Sequence, residues 1–176
     1  MIDVVLGDIA EARATAIVHP VSAEWDPVTP AMRRLELAAG DTVVEQCSRM
    51  GELPLGSAVI TAAGDAPADF MVHVIVRSVL EPVTEHIVQR GLQNALRRCV
   101  EWGIETLATP PIGTGAGNLD AEEVAQLMIP VLLEHMSEAR YPSEVRLVTE
   151  SEYERGAFVQ MLRYHGLPFL SEDQRQ

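Results

Sequence analysis

Between positions 111 and 120 the chain reads Pro111-Ile112-Gly113-Thr114-Gly115-Ala116-Gly117-Asn118-Leu119-Asp120, with glycine at every second position from 113 to 117. Glycine takes positive φ without a Cβ clash, so alternating glycines let the backbone approach a ligand closely. Successive N–H groups can then form a concave nest aimed at an anion. A helix is predicted to follow, and its N-terminus adds partial positive charge at the same place. The chemistry expected of Ile112, Gly113, Thr114, Gly115, Ala116, Gly117 and Asn118 is therefore capture of the diphosphate of a nucleotide-like ligand, with the Thr114 hydroxyl contributing. A strand–helix connection also needs a tight turn, but three glycines in five residues exceed what one turn requires.

Other chemistries are excluded by residues the chain lacks. All thirteen basic residues are arginine, so no Schiff base can form and no P-loop lysine can reach a phosphate. A net charge of −13 offers no basic footprint, and no nucleic-acid partner is expected. No apolar run reaches about 18 residues, so no membrane partner is expected either. The N-terminal residues lack the basic region of a signal peptide and reach Asp8 early. Cys47 and Cys99 lie far apart in apolar-periodic segments and read as buried free thiols, which suits a reducing compartment; the expected location is cytoplasmic. No two histidines or cysteines have metal-ligand spacing, so neither a metal nor another cofactor is expected. His19, at a strand end, and His73, in mid-strand, read as structural. His86, His135 and His165 read as helical surface or boundary groups.

The elements that must position the loop follow from periodicity. Short apolar runs alternate with longer amphipathic stretches, which predicts α/β architecture. Strands are predicted at 2–6, 15–19, 57–62, 70–78, 106–112 and 145–149. Residues 20–30 read as a loop with prolines at 20, 27 and 30. Helices are predicted at 31–39, from Asp41 as N-cap through Met50, from Thr84 as N-cap to Gly103, from Asp120, and at 153–165. Asp120 and Glu123 form a capping-box pattern, and Pro130 predicts a kink or an early end to that helix. Arg33 and Arg34 are expected on a solvated helix face. Trp25 either stacks on a ligand or staples its loop to the core, and Tyr153 and Phe158 either line a ligand or pack a helix. With 47% hydrophobic residues and no repeat or linker, residues 1–170 read as one domain and 171–176 as a frayed polar tail. The loop lies after the fifth predicted strand, a poor match to a Rossmann turn.

An ordered set of motifs resembles the macro domains, which bind ADP-ribose and related metabolites. It comprises Gly7-Asp8-Ile9 after the first strand, Ala16-Ile17-Val18 in the second and Ala38-Ala39-Gly40 ending the first helix. Phe70-Met71-Val72-His73-Val74 follows, then the glycine loop with Asp120-Ala121-Glu122-Glu123 opening its helix. The resemblance implies a three-layer α/β/α fold with a mixed sheet of about six strands. It implies that Asp8 accepts a hydrogen bond from the adenine amine, that Ile9 packs on the base, and that residues 113–117 wrap the diphosphate and the ribose beyond. The partner it implies is an ADP-ribose-like small molecule or an ADP-ribosylated protein.

The chain departs from the family at the distal ribose. The family's second strand usually ends Val-Asn-Ala-Ala-Asn, where this chain reads Val18-His19-Pro20-Val21-Ser22, so Ser22 takes the place of the asparagine that often touches that ribose. The glycines of the family's next loop are replaced by Glu24-Trp25-Asp26-Pro27-Val28-Thr29-Pro30, and proline cannot supply the N–H groups of a nest. Met32 and Glu36 fall near the aspartate and histidine of some hydrolytic members. A binding module is therefore expected ahead of an ADP-ribosyl hydrolase or an ADP-ribose 1″-phosphate phosphatase, with a degenerate interaction module as the further alternative. The physiological ligand and the oligomeric state are left open.

Overall fold

The computed structural model describes residues 1–167; the proposed tail at 171–176, and the last three residues of the proposed domain, lie outside that range. The elements run β1 (Ile2–Leu6), β2 (Ala14–Ser22), α1 (Pro30–Ala39), α2 (Asp41–Ser48), β3 (Ala58–Ala62), β4 (Ala68–Arg77), α3 (Glu85–Trp102), β5 (Thr106–Thr109), α4 (Ala121–Glu138), β6 (Glu144–Thr149) and α5 (Glu152–Tyr164). The six strands form one sheet in the order β1-β6-β5-β2-β4-β3. Every pairing is parallel except β3 with β4, which is antiparallel. Among the described residues no helix is long and apolar enough to cross a membrane.

Alternation along the strands builds two cores. Val18, Val72, Val74, Leu107 and Leu147 point to one face, where Leu92 and Leu96 of α3, Val124 and Met128 of α4, and Phe158 of α5 cover them. Ile17, Met71, Ala108 and Val148 point to the other, under Met32 and Leu35 of α1 and Val43 and Cys47 of α2. A buried aliphatic or aromatic side chain contributes on the order of 2 kcal/mol, so the paired faces hold the three layers together.

This layering opens the cleft. Neighbouring strands β2 and β5 send their following helices to opposite faces, α1 to one and α4 to the other. The loops beyond their carboxyl ends must diverge, and in a parallel sheet a crevice forms at that point.

Several boundaries differ from the sequence expectation. Strand β2 continues through Pro20 to Ser22, because β4 supplies partners as far as Arg77, with a register shift between Val21 and Ser22. Strand β5 ends at Thr109, not at 112, since Pro110 and Pro111 cannot donate to a ladder. Helix α1 begins at Pro30, which occupies the first turn where its missing N–H costs nothing, and Thr29 caps it through Oγ1 and the Met32 N–H. Asp41 lies inside the first turn of α2 and does not cap it. Helix α4 runs on past Pro130 to Glu138, without the early end that proline predicted. Its capping box forms as expected, with Asp120 Oδ1 accepting from Glu123 N at 2.9 Å and Glu123 Oε2 from Asp120 N at 3.0 Å.

Candidate functional site

The glycine loop runs along the rim of a cleft of about 650 Å3. Gly113, Gly115 and Gly117 have φ of 95°, 119° and 77°, while no residue between them has positive φ. Within the loop, Asn118 N donates to Gly115 O, Leu119 N to Gly113 O, and the Asn118 side-chain amide to Thr114 O. The N–H groups of Thr114, Ala116 and Gly117 meet no acceptor among the described residues, so they are available to an anion.

The rest of the cleft wall comes from four other segments. Ile9 follows β1, Pro20 lies in β2, Val28–Met32 lead into the first turn of α1, and Val148 of β6, Glu150 after it and Glu154 of α5 complete the wall. Burial pushes the Glu154 carboxyl above its usual range, against a Ser151 N–H that pulls it down. Ile112 is fully buried and its N–H faces Met128 Sδ at 3.3 Å, so its side chain packs the core beneath the loop.

Asp8 stands beside this cleft with its carboxylate already engaged. Oδ1 accepts the Ala10 N–H at 3.0 Å, capping the short 3-10 turn Ile9–Glu11, and Oδ2 accepts from Arg34 Nε at 2.8 Å. Arg34 also donates to Glu150. Arg34 lies on the exposed helix face that the sequence predicts, and there it meets two acidic loops that are far apart in sequence.

Ser22 and residues 116–118 line a second cleft of about 830 Å3, on the other side of the glycine loop, together with Glu24, Asp26 and Arg77. The two clefts share no lining residue. Between them Gly115 closes on the α1 loop so tightly that a Cβ on Gly115 would sit 2.9 Å from Thr29 Cγ2. Ser22 Oγ accepts the Asp26 N–H at 3.0 Å, and Ser22 N donates to Asp26 O, which pins the 22–26 turn. Val79 and Leu80, 83% and 91% exposed, stand on the outer rim of this second cleft.

Beneath the 19–30 segment lies a polar chain that spacing did not reveal. His19 Nδ1 and His73 Nδ1 are 2.8 Å apart, His19 Nε2 is 3.0 Å from Glu36 Oε1, and His73 Nε2 is 2.8 Å from Thr61 Oγ1. Burial, and then His19, hold the His73 pKa well below the usual histidine value, so His73 is neutral. Thr61 Oγ1 donates to Ala62 O at 2.9 Å, so it accepts from His73 Nε2, and the neutral His73 ring then accepts at Nδ1 from His19 Nδ1. Trp25, at φ 66°, packs edge-on to His73 and donates from Nε1 to Gly51 O at 2.8 Å, so it staples its loop to the core.

Cys47 and Cys99 are buried free thiols. Burial, then Glu36, raises Cys47 to about 11, and burial raises Cys99 to about 12, so neither is a thiolate near neutrality. Tyr153 is exposed, and Phe158 is buried in the α3–α4–α5 core. Among the described residues no group of three or more His, Cys, Asp or Glu is arranged to hold a metal ion.

A family model described as the Macro domain matches residues 30–128. An uncharacterized protein of Aeropyrum pernix is 34% identical over 69% of this chain, which spans 65% of that protein's length. The O-acetyl-ADP-ribose deacetylase of Enterobacter cloacae subsp. cloacae is 28% identical, over 94% of this chain and 95% of its own. Among solved structures, the Oceanobacillus iheyensis macrodomain with ADP superimposes with a TM-score of 0.84 at 22% identity, covering 92% of this chain and 90% of that one. The Trypanosoma brucei macrodomain in complex with ADP-ribose gives 0.83 at 12% identity, over 92% of this chain and 68% of that one.

Proposed function

This chain belongs to the macro domain family, and from that premise we propose that its principal cleft binds ADP-ribose or a closely related adenine nucleotide, with residues 113–117 taking the diphosphate. The observation that carries the reading is the alternating positive φ of Gly113, Gly115 and Gly117, which leaves the Thr114 N–H open at the rim of this cleft and those of Ala116 and Gly117 open at the adjoining one. In a protein of net charge −13, those backbone dipoles supply a positive field that side chains do not. Relatives of the same fold are solved with ADP and with ADP-ribose, which supports the ligand class. Ile9 and Val148 give the base an apolar wall.

The contact between Gly115 and Thr29 stands between this cleft and the one beside Ser22. Adenine and diphosphate therefore supply most of the affinity, and the distal ribose adds little. ADP should bind within about tenfold of ADP-ribose, a difference of about 1.4 kcal/mol. Isothermal titration of both ligands tests this. A preference for ADP-ribose of about a hundredfold or more would mean that residues 25–30 form a ribose pocket without glycines.

A second reading, hydrolysis of an ester or ADP-ribosyl bond, is favoured by the relatives named O-acetyl-ADP-ribose deacetylase that align along nearly the whole chain. In this chain the groups nearest such a reaction would be Ser22 and Asp26 of the second cleft, which already hydrogen-bond each other's backbone. Turnover of O-acetyl-ADP-ribose that disappears in Ser22→Ala would select this reading over simple binding.

A further inference from the structure

Strand β3 lies at one edge of the sheet and pairs only with β4. Its ladder bonds fall at alternate residues: Ala63 N donates to Asp69 O at one end, and Ser57 O accepts from Ile75 N at the other. Val59 and Thr61 therefore bond to β4, and the peptide groups of Ala58, Ile60 and Ala62 point away from the sheet. Arg98 Nε donates to Ala58 O at 3.0 Å, and Thr61 Oγ1 donates to Ala62 O at 2.9 Å. The N–H and C=O of Ile60, and the N–H groups of Ala58 and Ala62, meet no partner among the described residues. Sheet edges are normally blunted by a charge, a proline or a bulge, and Ala58–Ala62 carries none of these. Beside the edge, Leu53, Ala58, Val59, Asn94, Arg97 and Arg98 line a groove of about 580 Å3. Arg90 lies over Gly56 at the same end, where an added Cβ would meet its Cδ at 3.1 Å. Arg98 pairs with Glu101 at 2.6 Å, but among the described residues Arg90 and Arg97 make no ion pair. A chain of net charge −13 thus sets unneutralised arginines next to an open strand edge.

We propose that β3 takes an extended, carboxylate-bearing polypeptide segment as an added strand, with Arg97 pairing its carboxylate. Main-chain bonds to Ile60 and its neighbours supply the affinity common to any strand, and the carboxylate supplies the selectivity. A guanidinium grips a carboxylate through two parallel bonds, so position as well as charge is read. Leu53 and Val59 give the segment an apolar wall. Antiparallel pairing of two β3 strands would set the arginines of both copies along one seam, and like charges across a pair of strands are destabilising, which disfavours a second copy as the occupant. The edge is separated from β2 and its cleft loops by β4, so this proposal stands apart from the nucleotide reading.

The test titrates the whole, isotope-labelled chain with the acetylated and amidated peptide Thr-Val-Glu-Val-Thr and reads amide shifts by NMR. The comparison peptides carry Lys in place of Glu, carry Gln in its place with a free C-terminus, or keep Glu with every peptide nitrogen methylated. The Glu peptide should shift the amides of Ala58, Ile60 and Ala62, and should bind at least about tenfold more tightly than the Lys and methylated peptides. Arg97→Glu should reverse the preference between Glu and Lys while circular dichroism shows the fold unchanged. A Gln peptide that matches the Glu peptide through its free terminus makes a terminal carboxylate the recognised group, and one that binds about tenfold less makes it a side chain. Equal binding of the Glu and Lys peptides, equal binding of the methylated form, or no shift at these three amides overturns the proposal. So does a dimer in sedimentation equilibrium that Ile60→Pro abolishes, since proline removes an outward N–H that an edge strand does not need for its own ladder, and the edge then belongs to a second copy.

Discussion

Residues 113–118 and residues 19–30 meet where Gly115 packs on Thr29, yet they shape the clefts by different means. The glycine loop works through its backbone: positive φ at alternate positions, exposed amides, and few side chains beyond Thr114 and Asn118. The facing segment works through side chains. Thr29 caps α1, Trp25 reaches Gly51, Ser22 holds Asp26, and His19 is tied beneath them to Glu36 and His73. A backbone-built site tolerates change in its neighbours, because its donors belong to the peptide bonds. A side-chain-built segment depends on every partner being present, since a buried polar group without one costs about 1–3 kcal/mol.

That contrast predicts where each half breaks. The largest effect is expected at the buried chain. His73→Ala removes a fully buried ring and leaves Thr61 and His19 each short of a partner, so stability should fall by about 3 kcal/mol in urea unfolding. A loss below about 1 kcal/mol would mean that the chain of bonds does not hold the 19–30 segment in place.

The opposite behaviour is expected on the glycine side. A Cβ on Gly117 meets nothing within 4 Å, and aspartate tolerates its φ of 77° better than most residues. Gly117→Asp should therefore cost at most about 1 kcal/mol of stability, while its carboxylate weakens ADP binding by about thirtyfold. Gly115→Asp is the poorer test, because its Cβ would strike Thr29 and disturb both halves at once. Unchanged ADP affinity in folded Gly117→Asp would remove this end of the loop from the site.

The smallest effect sharpens the comparison by pH. His73 binds a proton less readily in the folded chain than in the unfolded one, because burial and His19 disfavour its charge. Below about pH 6.5 the unfolded state takes up the proton first, so stability falls as pH falls, by at most about 1.4 kcal/mol per pH unit from this group. His73→Gln should flatten that slope in denaturation curves between about pH 6.5 and 5. A slope that persists unchanged would assign the acid sensitivity to other groups.

Glycine spacing, the capping pair Asp120 and Glu123, and the αL glycine at 103 are local devices, and each appears where sequence alone placed it. The two-sided alternation of residues such as Ile17 against Val18 likewise carried the layered α/β architecture, because period-two patterning is a property of the strand itself. The extent of β2 was a different matter. Pro20 reads as a strand breaker in isolation, yet β4 carries the strand two residues further by supplying partners across the sheet.

The same distinction separates the sites. An anion nest could be read from five consecutive residues, since φ and the direction of an N–H are set locally. Only the tertiary structure brought Arg34 of α1 between Asp8 after β1 and Glu150 after β6, or set Glu36 against His19 and His19 against His73. These contacts join side chains 17 to 116 positions apart. Their energies arise from burial and from fixed distances between elements, which residue types and spacing along one chain do not encode.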